Sequence, residues 1–292
     1  MSEYVLTEKR GSDAGPEMIG GEFRRQRANF INLISKLDPA DWNAKSRCPD
    51  WSVHDLVGHV INIAELHVIS LSGGPGIERF MRHTPFDPNR TPARWLADSP
   101  QLSPEATIEK LRSLVEEERE QFAKHPGVPE DGMMVAPTGR QVHWSTRSLH
   151  SLWDAWIHER DVALALGVEP ESKPEDFPMI TMYGLLIAAG VAAGTGNPQS
   201  VTLELRNGGE SRYEIGIDDG DVYVVMGTDS GPQGHGSTIE VMESLTGRGA
   251  GLAQALRAPE PVVNAMSLLG LIMSGAVAMP PGAAGAGPPS AG

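Results

Sequence analysis

The first half of the chain repeats apolar residues with the period of an amphipathic helix. In four long segments these residues recur every three or four positions, so that they share one face of a helix. The segments are 16–38, 52–71, 103–125 and 146–167. The second segment begins with Ser52, followed three residues later by Asp55, which resembles a helix capping box with Asp in place of Glu. Four such helices joined by loops predict a helical bundle.

The second half of the chain is patterned differently. Short alternating or apolar runs, separated by Gly and Asp, predict strands at about 200–206, 211–217 and 221–227. The sequence DDGD joins the last two strands and is typical of a hairpin turn. Helical patterns are found at about 175–194, 237–246, 250–257 and 261–276.

These patterns predict an α+β chain with two folded parts. We expect an all-helical domain, a four-helix bundle, over residues 17–170 and a smaller α/β domain with a short antiparallel sheet over 171–278. Residues 1–16 show no periodicity and are expected to form a flexible tail, and the Pro-, Gly- and Ala-rich residues 279–292 are expected to be disordered. The connection over 72–103 is long for a compact domain, which is typical of binding loops and lids.

Composition narrows the range of functions. The 292 residues carry a formal net charge of −14, which argues against a nucleic-acid partner and against binding to anionic membranes. No signal peptide is evident, and the most apolar segment is interrupted by Asn264 and Ser267, which favours a buried helix over a membrane span. A single cysteine, Cys48, excludes an internal disulfide, so a reducing cytoplasm is the expected compartment. We expect a monomer or homodimer that acts on small molecules.

The segment DAWIHERDV, residues 154–162, contains a candidate metal-binding pair. Asp154 and His158 are four residues apart and would share a face of the fourth helix. Zinc accepts carboxylate oxygen and histidine nitrogen, and a facing helix of a bundle can bring a third donor. The second helix offers His59 near its middle. Its other candidate donors are His54, Glu65 and His67. Spacing alone leaves a second interpretation open: a surface Asp–His pair and a hydrogen-bonded core histidine.

Three motifs carry a family resemblance. They are CPDWSVHDLVGHV at 48–60, DAWIHERDVALALG at 154–167 and ESLTGRGAGLAQAL at 243–256. The first two resemble the second and fourth helices of the mycothiol-dependent maleylpyruvate isomerase family, a branch of the DinB-like metal-binding bundles. The third resembles the Gly-Arg segment of that family's C-terminal α/β domain. The motifs occur in the family's order, and the likeness spans residues 17–276.

The resemblance implies a metal site and a thiol cosubstrate. Carried over residue by residue, the metal ligands would be His59, Asp154 and His158, holding a divalent ion that we expect to be zinc, with nickel, iron and manganese also compatible. The resemblance further implies mycothiol, a low-molecular-weight thiol of actinobacteria. The family member that names the group has Glu at the acid position, where this chain has the shorter Asp154.

Four further residues have two interpretations each. Asp55 and Asp161 would orient ligand histidines from behind, or would serve only in capping and in contacts between helices. Arg248 would bring a positive charge from the second domain to an anionic substrate, or would only hold two segments together. Cys48 has no evident base beside it, which favours a buried structural thiol over a nucleophile.

Taken together, these features predict a metal- and mycothiol-dependent enzyme, either a thiol S-transferase or a cis–trans isomerase. The thiol would add to an electrophilic carbon, and Arg248 would serve as a catalytic residue that stabilises the substrate's negative charge. A first alternative is a metal-dependent hydrolase or lyase that activates water without a thiol. A second alternative is a non-catalytic protein that binds a small ligand.

Overall fold

A computed structural model describes residues 4–73, 76–83, 86–124, 133–135, 141–170, 173–207 and 209–278. In the first half of the chain the helices are α1 (Pro16–Ile34), α2 (Pro39–Trp42), α3 (Val53–Ser72), α4 (Ile77–Met81), α5 (Thr91–Ala97), α6 (Pro104–Lys124) and α7 (Trp144–Ala165). After a 3-10 turn at Pro174–Asp176, the helices are α8 (Pro178–Gly194), α9 (Thr238–Leu245), α10 (Leu252–Ala255) and α11 (Glu260–Met273). None of these described helices is both long and apolar enough to cross a membrane.

The strands complete the architecture. They are β1 (Tyr4–Thr7), β2 (Gly11–Ser12), β3 (Met133–Val135), β4 (Gln141–His143), β5 (Val201–Arg206), β6 (Glu210–Asp218), β7 (Asp221–Met226), β8 (Gly234–Ser237) and β9 (Leu256–Arg257). Seven of them form one sheet in the order β2-β1-β7-β6-β5-β8-β9, and β3 pairs with β4 separately. Within the larger sheet all neighbours are antiparallel except β5 and β8. The predicted α+β class is confirmed, and the sheet is larger than the predicted three strands.

The four long helices α1, α3, α6 and α7 form the helical part. Each packs on two of the others, α3 on α6 and α7, and α1 on the same two helices. Their apolar stripes meet in a shared core that includes the fully buried Phe30, Leu56, Val60, Leu111 and Val162. Full burial of such a side chain contributes about 1.5–3 kcal/mol. The periodic segments of the sequence therefore become helices because each buries its stripe against two neighbours.

Helix α3, which carries one of the candidate ligands, has fixed ends. The backbone N–H of Asp55 donates to Ser52 Oγ at 3.1 Å, and the backbone N–H of Ser52 donates to Asp55 Oδ2 at 2.9 Å. This is the predicted capping box, and such a cap is worth about 1 kcal/mol. At the other end Gly73 takes the left-handed conformation, with φ 62°, that closes the helix.

The expectation of a flexible tail over residues 1–16 is wrong for the residues described. Strand β1 pairs antiparallel with β7, with Tyr4 opposite Met226 and Thr7 opposite Tyr223, and Leu6 is fully buried. A four-residue strand shows little periodicity, and its partner is remote in the sequence, so no local pattern reveals it. The expected disordered segment 279–292 lies outside the described residues. We keep the division near residue 170 as a proposal for the boundary between the two parts.

One apolar core joins the bundle to the sheet. A single cluster of buried side chains includes Phe23 of α1, Trp156 of α7, Met182 of α8, Val224 of β7 and Leu269 of α11. Helices α7 and α8 pack against each other, and α8 also packs against α11 and β7. Helix α8 therefore lies between the two parts, which is why nearly its whole surface is apolar.

Gly270 of α11 lies where this helix packs closely against the backbone of α9. A Cβ at this position would collide with the backbone oxygen of Ser244 at the end of α9. We expect Gly270→Ala to lower the free energy of unfolding by about 1–3 kcal/mol through overpacking, measured by urea denaturation. Gly190→Ala on α8, where a Cβ would meet nothing within 4 Å, is the matched control and should be neutral or stabilising. Equal losses in both variants would contradict this packing explanation.

Glu22 of α1 should make stability depend on pH. Burial raises its pKa to about 8, although the neighbouring Arg25 acts in the opposite direction. Because the folded protein holds this proton more tightly than the unfolded chain, the contribution is full below the ordinary pKa of 4.5 and is lost as the pH rises through about 8. Glu22→Gln should therefore reduce the fall in unfolding free energy between about pH 5 and about pH 9. Parallel curves for wild type and variant would count against a buried, protonated Glu22.

Candidate metal centre

A cavity of about 600 Å³ lies where the bundle meets the second half of the chain. Its walls come from α3, α7, α8, α11, the 246–248 turn and the 86–95 part of the long connection. Apolar side chains dominate, among them Trp51, Ile63, Trp95, Leu186 and Ile272. A cavity of this size, lined by apolar side chains and a set of polar and charged groups, is typical of a small-molecule site.

Three of the sequence-predicted residues meet on the wall of this cavity. His59 reaches it from the middle of α3, and Asp154 and His158 reach it from successive turns of α7. His59 Nε2 lies 3.5 Å from Asp154 Oδ1, and His158 Nε2 lies 3.7 Å from the same oxygen. One donor atom of each residue lies within 4.8 Å of the other two. The alternative of a surface Asp–His pair is therefore ruled out.

The spacing of these atoms suits a metal ion better than it suits hydrogen bonds. Both separations exceed the usual 2.7–3.2 Å of an N–H···O bond. Two donors about 2.0–2.2 Å from a tetrahedral zinc ion are roughly 3.3–3.6 Å apart, which is close to what is seen. His59 Nδ1 and Asp154 Oδ2 are buried and have no hydrogen-bond partner among the described residues. The donor set and the spacing of its atoms thus fit a divalent ion.

The pKa shifts of Asp154, His158 and His59 also favour the binding of a cation at this site. Burial opposes ionisation of Asp154, but His59 and His158 outweigh it and lower the pKa of that carboxyl. For His158 burial is outweighed by Asp154 and Asp161, which raise its pKa to about 10. Burial lowers the pKa of His59, against the pull of Asp154. A buried carboxylate between two imidazoles therefore attracts positive charge to one point.

Asp161 orients His158 through a hydrogen bond with the ring nitrogen that does not face Asp154. Its Oδ2 lies 3.0 Å from His158 Nδ1, so Nδ1 carries a proton and Nε2 turns toward Asp154. The same carboxylate accepts two bonds from Arg248, 3.2 Å from Nε to Oδ1 and 2.6 Å from Nη2 to Oδ2. Arg248 also lines the cavity, between Gly247 and Gly249, both at positive φ. Arg248 thus both joins two segments and faces the cavity, so its two sequence interpretations are compatible.

Cys48 is not the buried structural thiol that was expected. It is half-buried and lines the cavity, with its Sγ 3.3 Å from Arg248 Nη2 and 3.5 Å from Asp161 Oδ2. Its position follows from the short loop before α3, where Cys48 and Ser46 exchange backbone and side-chain hydrogen bonds. With His158 and Asp161 it forms a second group of potential metal donors.

The remaining sequence candidates lie elsewhere. Asp55 is exposed and its carboxylate closes the capping box, so its expected role behind a ligand histidine is corrected. His54 lies 3.3 Å from Thr107 Oγ1. His67 lies in a separate buried network between Glu118 and Ser148. Only His59 of the three α3 histidines reaches the cavity.

Three cavity residues were not anticipated from the sequence. Arg147 and His150 precede Asp154 on α7 by two turns and one turn, and Tyr183 of α8 lies 2.8 Å from His150 Nδ1 through its hydroxyl. The signal for the first two was available, since positions seven and four residues before Asp154 share its helical face. Nothing in the sequence placed Tyr183 opposite them.

The fold first defines a class, a four-helix bundle joined to an α/β part. Residues 23–163, which span the bundle, match the family model of the mycothiol maleylpyruvate isomerase N-terminal domain. The resemblance first seen in the motifs is confirmed.

Two solved structures share this fold over most of the chain. A crystal structure of the mycothiol-dependent maleylpyruvate isomerase has a TM-score of 0.52 and 16% identity, covering 85% of this chain and 97% of that chain. A histidine-to-alanine mutant of the isomerase gives a TM-score of 0.50 and 15% identity over the same shares. Identities this low establish the fold alone. No curated protein is significantly similar to the sequence.

Removing the charge of Asp161 should destabilise the fold. The side chain is fully buried between His158 and Arg248, so Asp161→Asn leaves a buried cation without its partner. We expect the free energy of unfolding to fall by about 3 kcal/mol in chelator-treated protein, measured by urea denaturation. Asp98→Asn, which weakens an exposed pair with His83, is the matched control and should change little. A neutral Asp161→Asn would show that the ion pair does not hold these segments together.

Proposed function

We propose that this chain is a metal-dependent enzyme that uses mycothiol as its thiol cosubstrate, either as an S-transferase or as a cis–trans isomerase. One observation carries the proposal: His59, Asp154 and His158 converge on the wall of a cavity. The family of the bundle supports the thiol, since its model is named for mycothiol maleylpyruvate isomerase. The proposed compartment is the cytoplasm, and the proposed state is a monomer or homodimer.

The proposed ligands are His59, Asp154 and His158, which would leave room for one more donor beside the cavity. When bound, a divalent ion with an open position lowers the pKa of a thiol that reaches it, so that thiolate forms near neutral pH. Two nitrogens and one carboxylate favour zinc. Asp161 would keep His158 in the tautomer whose Nε2 is free to bind the metal. Carboxylates that accept a hydrogen bond from the other ring nitrogen of a ligand histidine commonly have this role.

The residues around the centre suit addition of a thiol to an electrophilic carbon. A new C–S bond would form while an electron pair moves onto the substrate, where Arg248 at the cavity wall would stabilise the negative charge. If the proton lost by the thiol is then added to the anionic substrate and the S-conjugate is released, the enzyme is a transferase. If the C–S bond breaks again after rotation about the former double bond, the thiol is regenerated and the enzyme is an isomerase. The apolar walls exclude water, which would otherwise compete with the thiol.

Metal content and thiol binding test the proposal together. We expect purified protein to bind one zinc ion per chain, and His158→Ala to bind zinc at least about 100-fold more weakly. His54→Ala, a histidine on the same helix as His59 but outside the cavity, is the matched control and should bind normally. With cobalt in place of zinc, mycothiol should produce a thiolate-to-cobalt absorption band in wild type and none in His158→Ala.

Each other outcome identifies a different function. Metal binding without the thiolate band, together with turnover that does not need mycothiol, would identify a hydrolase or lyase. A protein that binds no metal, with His59→Ala and His158→Ala unchanged in fold and ligand binding, would be a non-catalytic binding protein. Conjugation of mycothiol to monochlorobimane, followed by fluorescence, gives the transferase readout.

A further inference from the structure

Arg147 is a fully buried cation whose charge is not used by the fold. Its side chain is 1% exposed and contributes to the cavity wall. Nη1 donates to Ser151 Oγ at 2.6 Å, but Nε and Nη2 have no hydrogen-bond partner among the described residues. Burial lowers the pKa of Arg147 only to about 10, so the group stays charged at neutral pH.

A second buried arginine shows what a structural role requires. Arg27 is also 1% exposed, but it donates from Nε and Nη2 to both carboxylate oxygens of Glu118, each at 3.0 Å. Two carboxylates act on the pKa of Arg147. Glu118 already pairs with Arg27 and His67, whereas Asp154 faces two histidines through Oδ1 and its Oδ2 has no hydrogen-bond partner among the described residues. A buried charge without a partner is costly, which indicates a partner that arrives with a ligand.

The two unpartnered nitrogens define the kind of ligand. Nε and Nη2 form one edge of the guanidinium, and their N–H bonds are parallel and spaced to receive the two oxygens of one carboxylate. This is the edge that Arg27 gives to Glu118 in the same bundle. The hydroxyl of Tyr183, paired with His150, lies on the same cavity wall, and Glu8 also lines the cavity.

The spacing of two residues on helix α7 indicates the length of the ligand. Arg147 precedes Asp154 by seven residues, which is two turns or about 10 Å along the helix axis. His150 lies between these two residues on α7, and much of the rest of the cavity lining is apolar. The apolar side chains include Trp153, Ile157, Leu186, Ile187 and Val191.

We propose that Arg147 binds the carboxylate of the electrophilic substrate, which carries an apolar body and presents its reactive carbon about 10 Å away, beside His59, Asp154 and His158. The part of this inference that concerns the reactive carbon rests on the proposed function. The part that concerns the carboxylate does not, because an apolar acid should bind at Arg147 with or without metal and thiol. The substrate class is therefore an apolar monocarboxylate.

Calorimetry with a matched pair of probes tests the carboxylate site. We expect wild type to bind 4-phenylbutyrate at least about 10-fold more tightly than its neutral amide. Arg147→Met should abolish this preference, and Arg147→Lys should restore it only in part, since a lysine offers no parallel pair of donors. The preference should persist in His158→Ala. Loss of the preference in His158→Ala but not in Arg147→Met would place the carboxylate at the metal centre and overturn the proposal.

Stability gives an independent readout. If Arg147 serves a ligand, Arg147→Met removes an unpaired buried charge and should leave the urea midpoint unchanged or raise it. Arg27→Met, the matched control, should lower the midpoint because Glu118 is left buried and unpaired. A loss in Arg147→Met as large as that in Arg27→Met would assign Arg147 to the fold and overturn the proposal. Neither measurement requires mycothiol, so failure of the proposed thiol chemistry would be seen separately.

Discussion

The buried carboxylate of Asp161 is the interaction on which the arrangement of the site depends. It binds Arg248 by two hydrogen bonds and His158 by a third, and it is fully removed from solvent. One side chain of α7 therefore fixes both the turn that follows α9 and the orientation of a candidate ligand. Nearby, Glu243 of α9 accepts hydrogen bonds from Arg47 and from Arg160 of α7. This second acidic side chain therefore also links α7 to α9.

Helix α7 is unusual because it is buried on every side and still rich in polar residues. Within the bundle and against α8 it has no exposed face, so its polar groups must find partners inside the protein. Ser148 does so with His67, and Asp161 does so with Arg248. Asp154 and Arg147 keep unsatisfied atoms, and both line the cavity. These two unsatisfied groups therefore lie where a ligand can reach them, as expected of a binding site.

The sequence predicted the elements that depend on local patterns. Three such features depend only on residues that are near one another in the sequence. They are the capping box at Ser52 and Asp55, the apolar stripes of the bundle helices and the alternation of β5, β6 and β7. The convergence of His59 with Asp154 and His158 required the family resemblance, since spacing on one helix does not say what the facing helix brings. For Asp55 the sequence left a cap and a place behind a histidine both open, because the same carboxylate suits either, and the structure shows it in the cap. The helical spacing from Asp154 could have indicated Arg147, but only the three-dimensional structure shows that its Nε and Nη2 are buried without a hydrogen-bond partner among the described residues.

The pairing of β1 with β7 has a consequence for how the molecule assembles. The bundle lies in the chain between two neighbouring strands of one sheet, so the chain must complete a long excursion before that part of the sheet can close. Contacts between such distant segments form slowly, because the entropy of closing the loop is lost before the contacts are gained. The bundle can collapse on its own local helices, whereas the cavity needs α8, α11 and the 246–248 turn in place. In a newly made chain, the candidate metal ligands of α3 and α7 would thus come together early, and the cavity around them would form last.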